Sequence, residues 1–195
     1  MTAQVKGDRY HHGDLHNALL AAARAILEEE GLPGLSLRAV ARKAGVSHAA
    51  PYRHFSSHEA LLSELAKEGF EALRAEIVAA ASRPGVEDDR IASIGGAYMR
   101  FAAKRPALTR LMFGPQLPNR DKFPELAAAA DAVGVEIGVA LDDAAMGVAV
   151  WAAVHGLAML ILENVVDLGQ RRAGLHVLPS RAEILLRSLF THVRS

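Results

Sequence analysis

An all-α fold is what this sequence of 195 residues predicts, and three observations predict it. Strand signals are almost absent from the chain. Alanine and leucine runs recur between glycine and proline breaks, as at Pro33-Gly34, Pro84-Gly85 and Gly114-Pro115. Apolar residues return at three- and four-residue spacing, the period of one buried helix face. About nine helices are expected, divided between a small N-terminal domain, residues 1–58, and a larger helical domain, residues 59–195. A chain of this length buries on the order of 70% of its unfolded surface.

Asp14 is a good N-cap for a first helix ending near Gly31, with Leu15, Ala18, Leu19, Ala22, Ala23, Ile26 and Leu27 on its inner face. Ser36 caps a short second helix reaching Ala44, with Leu37, Val40, Ala41 and Ala44 inward. Gly45 permits the left-handed backbone of a tight turn, and Val46 plugs the core beneath it. Ser47 caps a third helix, about His48 to Phe55, with Pro51 in or near its first turn, where a missing N–H matters least. Ser57 caps a long helix over 58–82 that turns Leu62, Leu65, Ala66, Phe70, Leu73 and Ile77 inward. Further helices are predicted at 87–104, 106–113, 122–141, 143–168 and 180–194. Irregular loops lie between, at Gly114 to Lys122 (with Pro118) and Leu168 to Pro179.

Lys+Arg and Asp+Glu both number 22, so net charge points to no partner. Its distribution does. Between Ser36 and His58 stand Arg38, Arg42, Lys43 and Arg53 with no acid, and His48, His54 and His58 share the stretch. The acids of this half gather at Glu28, Glu29 and Glu30. A positive patch in a neutral chain attracts phosphate. The absence of cysteine excludes disulfides and thiolate metal sites and suits a reducing, cytoplasmic location. Met1 to Tyr10 is polar and lacks the apolar core of a signal peptide. Ala144 to Leu162 carries no Asp, Glu, Lys or Arg and is just long enough to span a bilayer. It is dominated by Ala, Gly and Val, contains His155 and lacks basic anchors, so a helix buried in a soluble core is expected.

Two short helices joined by a glycine-containing turn form a helix-turn-helix when the second is free to enter the major groove of DNA. Here the first is Ser36 to Ala44, the turn Gly45-Val46-Ser47 and the reader about His48 to Phe55, presenting His48, Ala49, Tyr52 and Arg53. Arg53 can bond a guanine edge through two hydrogen bonds. Small Ala49 and Ala50 let the backbone approach and can meet a thymine methyl. Tyr52 and His54 suit phosphate contacts. Arg38 and Ser47 complete the expected set.

The run Ser36-Leu-Arg-Ala-Val-Ala-Arg-Lys-Ala-Gly-Val-Ser47, followed by Tyr52-Arg-His-Phe55 and Glu59-Ala-Leu-Leu62, resembles the DNA-binding signature of the TetR family over about residues 14–65. The resemblance implies an all-helical homodimer with a small DNA-binding domain and a larger domain that binds ligand and dimerises. It implies double-stranded DNA, as a palindromic operator, for partner. Ser36 matches a phosphate-contacting hydroxyl, Tyr52 a phosphate-binding tyrosine, and His58 stands in the place of a common lysine. The chain departs from the family's frequent Lys-Gly-Thr-Leu/Ile with His48-Ala49-Ala50-Pro51.

In the second half, Trp151-Ala-Ala-Val-His155-Gly156 resembles the Trp…His-Gly (WHG) pattern of one TetR C-terminal subfamily. Trp151, His155, Met159 and Leu162 share a helix face by spacing. With Tyr98, Phe101, Met112 and Phe113 they are expected to line an apolar pocket with a few polar handles for a small-molecule effector, apolar or aromatic. No cofactor is expected. Ala145, Ala149 and Ala153 recur every four residues, and Ala182, Leu185, Leu186, Leu189 and Val193 form a stripe on the last helix. Two such helices from each subunit make a four-helix interface, as in the family.

Three other readings draw on the same sequence. In the arm Tyr10-His-His-Gly-Asp-Leu-His16, the spacing of His12 and His16, with His11 and Asp14 near, fits a zinc face, but no further ligand completes it and no metal is expected. An enzyme is not expected, because no cysteine nucleophile, phosphate-binding glycine loop or His-Glu metal motif is present. A membrane-associated interaction protein rests on 144–162 alone. The expected function is sequence-specific repression of transcription, released when a small ligand binds.

Overall fold

A computed structural model of the chain describes residues 12–83, 87–117 and 120–193. Among them every regular element is helical: nine α-helices and four short 3-10 turns. The chain divides into two compact units, Met1–Leu65 and Ala66–Ser195. The division falls at Leu65 rather than at the expected His58.

The first unit begins with α1 (His12–Glu30), a 3-10 turn at Leu32–Gly34 and α2 (Leu37–Lys43). α1 starts ahead of Asp14, so that residue lies within the helix and not at its cap. Leu19, Ala22, Ala23, Ile26 and Leu27 are buried as expected; Ala18 is exposed and Leu20 takes an inward place instead. In α2, Leu37, Val40 and Ala41 are buried, joined by Ala39, whereas Ala44 and Val46 are only half-buried. The Ser36 hydroxyl caps α2 by accepting from the Ala39 N–H at 3.2 Å. Gly45 closes the helix at φ +69°, a left-handed conformation that favours glycine.

The predicted reader α-helix does not form. Residues 47–55 wind instead through a turn into a 3-10 helix at Pro51–Arg53. The cause is Pro51, which has no N–H to return to the Ser47 carbonyl. That carbonyl accepts from the Ala50 N–H at 3.0 Å, and Arg53 and His54 donate to Ala50 and Pro51 in the same three-residue register. Buried Pro51 and Phe55 tie this segment to the core of its unit. Ser57 accepts from the Ala60 N–H at 3.1 Å and opens α3 (His58–Ala81), whose predicted inward residues are all buried.

In the second unit α4 (Glu87–Lys104), α5 (Pro106–Phe113) and α6 (Pro124–Leu141) keep close to their predicted bounds. Asp143 caps α7 (Ala144–Leu162) by accepting from the Met146 N–H at 3.0 Å. α7 stops well before the predicted residue 168. Asn164 takes a left-handed φ of 59°, and the Val165 and Val166 N–H groups both fold back onto the Leu160 carbonyl. The loop expected after it holds α8 (Gln170–Ala173) and a 3-10 turn before α9 (Leu178–Val193). α4 is central, packing on α5, α6, α7 and α9, while α6 and α7 form a tight hairpin. A Cβ on Gly147 would lie 2.6 Å from the Gly138 Cα, so that approach needs glycine at 147.

α7 is not the buried core helix that its composition suggested. It is the one helix among the described residues long and apolar enough to cross a membrane, and only 33% of it is buried. Gly147, Val150, Val154, Ala158 and Ile161 pack inward, while Ala145, Val148, Ala149, Ala152 and Leu160 are exposed. Ile184 and Leu185 of α9 are exposed too, whereas Ala182 and Leu186 are buried. The side chains of Leu189 and Val193 lie outside the described residues, as do Pro84, Gly85 and Pro118.

Candidate nucleic-acid interface and effector site

In the first unit the residues expected to meet DNA are presented on the surface. Ser36, Arg38, Ser47, His48, Ala49, Arg53 and His58 are exposed, and Tyr52 is 56% exposed despite its aromatic ring. Ala50 is half-buried beside Pro51. Ser36, Arg38, Tyr52 and His58, from three separate segments, line one recess of about 240 Å³ floored by Leu35 and Leu37. With its oxygen accepting from the Ala39 N–H, Ser36 keeps its hydroxyl hydrogen for an outside acceptor. A recess with a cation, a phenol and a hydroxyl at its rim can hold a phosphate.

One expectation needs correction. Lys43 is not a free cation of the patch, because its ammonium pairs with Glu29 at 2.6 Å. His54 is half-buried, with its ring 5.7 Å from the His16 ring between centroids. His16 in turn lies 5.2 Å from the Phe55 ring, with Nε2 2.8 Å from a Glu64 carboxylate oxygen. Glu64 is a partner that the sequence reading of the histidine arm missed. Tyr10 and His11, and the side chains of His12 and Asp14, lie outside the described residues. Among the described residues no group of three His, Cys, Asp or Glu side chains is placed to hold a metal.

The second unit gathers four of the seven expected effector residues, with Phe113 at the centre. Its ring lies 4.2 Å from His155, 6.5 Å from Tyr98 and 6.5 Å from Trp151, centroid to centroid. Phe70 of α3 packs edge-on against it at 5.1 Å. Sequence reading had placed Phe70 in the core, since only its inward position on α3 was visible. The Tyr98 hydroxyl and His155 Nδ1 share a hydrogen bond of 2.8 Å. Gly134 of α6 makes room for the indole, as a Cβ there would come 2.9 Å from a Trp151 ring carbon.

Burial sets the charge state of this cluster. It pushes the Tyr98 phenol well above its ordinary range; the nearby Trp151 indole N–H opposes that shift slightly. The indole's geometry nevertheless falls short of a hydrogen bond, and Nε1 is buried without a partner. Burial likewise holds His155 below the ordinary histidine value, so the imidazole stays neutral at pH 7. The other three expected residues have no ring contact with Phe113 among those described. Phe101 is fully buried with the Arg105 guanidinium 5.1 Å from its ring, Met112 is fully buried against Gly69 of α3, and Met159 is half-buried on α7.

Comparison with known proteins agrees with both units. The profile of bacterial regulatory proteins of the tetR family matches residues 19–65. That of the tetracyclin repressor-like C-terminal domain matches residues 91–175, a stretch that includes Trp151, His155 and Gly156. The HTH-type transcriptional regulator Rv1816 of Mycobacterium tuberculosis is 31% identical over 151 residues, covering 76% of this chain and 63% of its own length. The chain thus spans under two thirds of that relative. A solved protein of unknown function from Rhodococcus sp. RHA1 is 31% identical, with a TM-score of 0.73 over 93% of this chain and 98% of that one. A tetR-family regulatory protein from Rhodococcus RHA1, 20% identical, shares the fold with a TM-score of 0.69 over 89% of this chain and 95% of its own. Residues 19–65 thus match the N-terminal domain of the tetR family of bacterial regulatory proteins, and residues 91–175 match a tetracyclin repressor-like C-terminal domain.

Proposed function

We propose that the chain is a cytoplasmic, sequence-specific DNA-binding repressor, not an enzyme, that acts as a homodimer on a palindromic operator and is released by a small apolar or aromatic ligand. The observation that carries this is the exposed reader face. His48, Ala49, Tyr52 and Arg53 project from a segment pinned by Pro51 and Phe55, beside a phosphate-sized recess and away from any carboxylate of their own stretch. Arg53 and His48 read base edges; Ser36, Arg38, Tyr52 and His58 hold phosphates and fix the register.

Dimerisation is supported by the apolar faces left open on α7 and α9, Val148, Ala149, Ala152 and Leu160 with Ile184 and Leu185. A second subunit covers them without a membrane, and it sets two readers about one DNA turn apart or somewhat more. The effector binds the Tyr98, Phe113, Trp151 and His155 cluster, and the Trp151…His155-Gly156 pattern supports reading the second unit as one of the WHG subfamily. A ligand with higher affinity for a splayed dimer takes the readers out of register, and α3, which runs from one unit into the other, carries the change.

Selection of bound fragments from random-sequence DNA, followed by anisotropy titration at several salt concentrations, tests the reading. Inverted half-sites and a steep fall of affinity with salt are expected, because each neutralised phosphate releases counterions. Binding without a recovered motif, or binding insensitive to salt, refutes it.

A further inference from the structure

The aromatic cluster also restricts what it can hold, an inference that rests on the effector-site reading above. The Trp151 Nε1–H is buried with no partner, and an indole nitrogen can only donate. Tyr98 and His155 share one hydrogen bond between two neutral groups that together carry two acidic hydrogens. Whichever tautomer the imidazole takes, one hydrogen is spent between them and one is left, on His155 Nε2 or on the phenol. The cluster therefore offers two donors at its polar edge and no full charge of its own.

Charged neighbours are already engaged. Arg120 lies 5.7 Å from the Phe70 ring and donates to the Met112 carbonyl. Arg110 pairs with Glu163 at 2.7 Å and donates to the Leu162 carbonyl. Burial that disfavours an imidazolium also disfavours a bound carboxylate or ammonium. Phe113, Trp151 and His155 are half-buried, so each keeps part of its surface exposed. We propose that this cluster takes a neutral aromatic carbonyl compound, of the ketone, quinone or lactone class, whose oxygen accepts from Trp151 Nε1–H while its ring stacks in the Phe113 cluster.

Trp151 is the only tryptophan in the chain, so full-length protein labelled with ¹⁵N-tryptophan gives one indole N–H resonance, and it reports on this site. Three probes of similar shape are titrated: 2-acetylnaphthalene, the hydrocarbon 2-isopropylnaphthalene and the anion 2-naphthoate. The ketone should move the indole proton downfield and bind roughly three- to tenfold more tightly than the hydrocarbon, the yield of one net hydrogen bond. Naphthoate should bind more weakly than the ketone. Trp151→Phe should abolish the preference for the ketone while hydrocarbon binding persists. Equal binding of ketone and hydrocarbon, or tighter binding of naphthoate, overturns the carbonyl class and leaves the effector site standing. No perturbation by any of the three overturns both.

Discussion

Ser36 serves two purposes that one substitution can separate. Its oxygen caps α2, accepting from the Ala39 N–H, and its hydroxyl borders the recess shared with Arg38, Tyr52 and His58. Ser36→Asp keeps the first role and reverses the second. Aspartate is as good an N-cap as serine, and Ser36 already has the extended φ and ψ of −147° and 155° that a cap requires. Stability should therefore stay within a few tenths of a kcal/mol of the parent, whereas Ser36→Ala should lose about 1 kcal/mol. In a chain of this size that loss lowers the melting temperature by roughly 2–4 °C. DNA binding should behave in the opposite order. A carboxylate about 5 Å from a phosphate, at an effective dielectric between about 20 and 80, adds roughly 1–3 kcal/mol of repulsion. Two subunits double it, so affinity should fall at least about twentyfold, since about 1.4 kcal/mol is a factor of ten. Thermal melts followed by circular dichroism and anisotropy titrations on the selected operator give both quantities. If Ser36→Asp melts like the parent and binds DNA as tightly, the recess does not face the phosphate backbone and the proposed docking is refuted.

Arg53→Ala should cost roughly 1–3 kcal/mol of discrimination per half-site and relax preference at one base pair; an unchanged selected motif would remove Arg53 from the readers. Val148→Glu combined with Ile184→Glu places charges on the open faces of α7 and α9 and should halve the mass seen by light scattering from twice to once 20.8 kDa, a persistent dimer refuting that interface. Burial holds the His155 pKa down, so below the ordinary value of about 6.5 the unfolded chain binds a proton that the folded one resists, and stability falls as pH drops through that window. His155→Phe should flatten that part of the profile of melting temperature against pH, and parallel profiles would contradict the assignment. Gly147→Val should destabilise by at least about 1–3 kcal/mol, because its Cβ meets Gly138 backbone that no rotamer change can move; an unchanged denaturation midpoint would count against the α6–α7 packing.

What the sequence made legible was mostly local chemistry. Ser36 and Ser57 cap as their side chains predict, and Gly45 turns as only glycine does easily. α5 matches its predicted range because Pro106 starts it and Gly114 follows its last residue. Misreadings arose where a rule was applied to the wrong carbonyl or where no punctuation stood in the chain. Pro51 was assigned to a harmless first turn, but the carbonyl it deprives is the one on which the reader's first α-helical bond depends. α7 ends without glycine or proline, at a left-handed asparagine, and an apolar pattern that continues past residue 162 conceals that stop. Of the effector residues, Trp151, His155 and Met159 follow from helix spacing and the rest from nearness in sequence, which shows neither that Tyr98 meets His155 nor that Phe101 and Met112 are fully buried. Phe70 was missed because its contact with Phe113 joins two helices far apart in the chain.

The anchoring of the reader from beneath has an evolutionary consequence. Because Pro51 and Phe55 supply the inward grip, the four outward positions at 48, 49, 52 and 53 carry almost no duty in keeping the unit folded. On the proposed function, paralogues can vary there and acquire new operators without risking collapse. Lineages that share this scaffold should diverge first at those positions, while the proline and phenylalanine below them stay fixed.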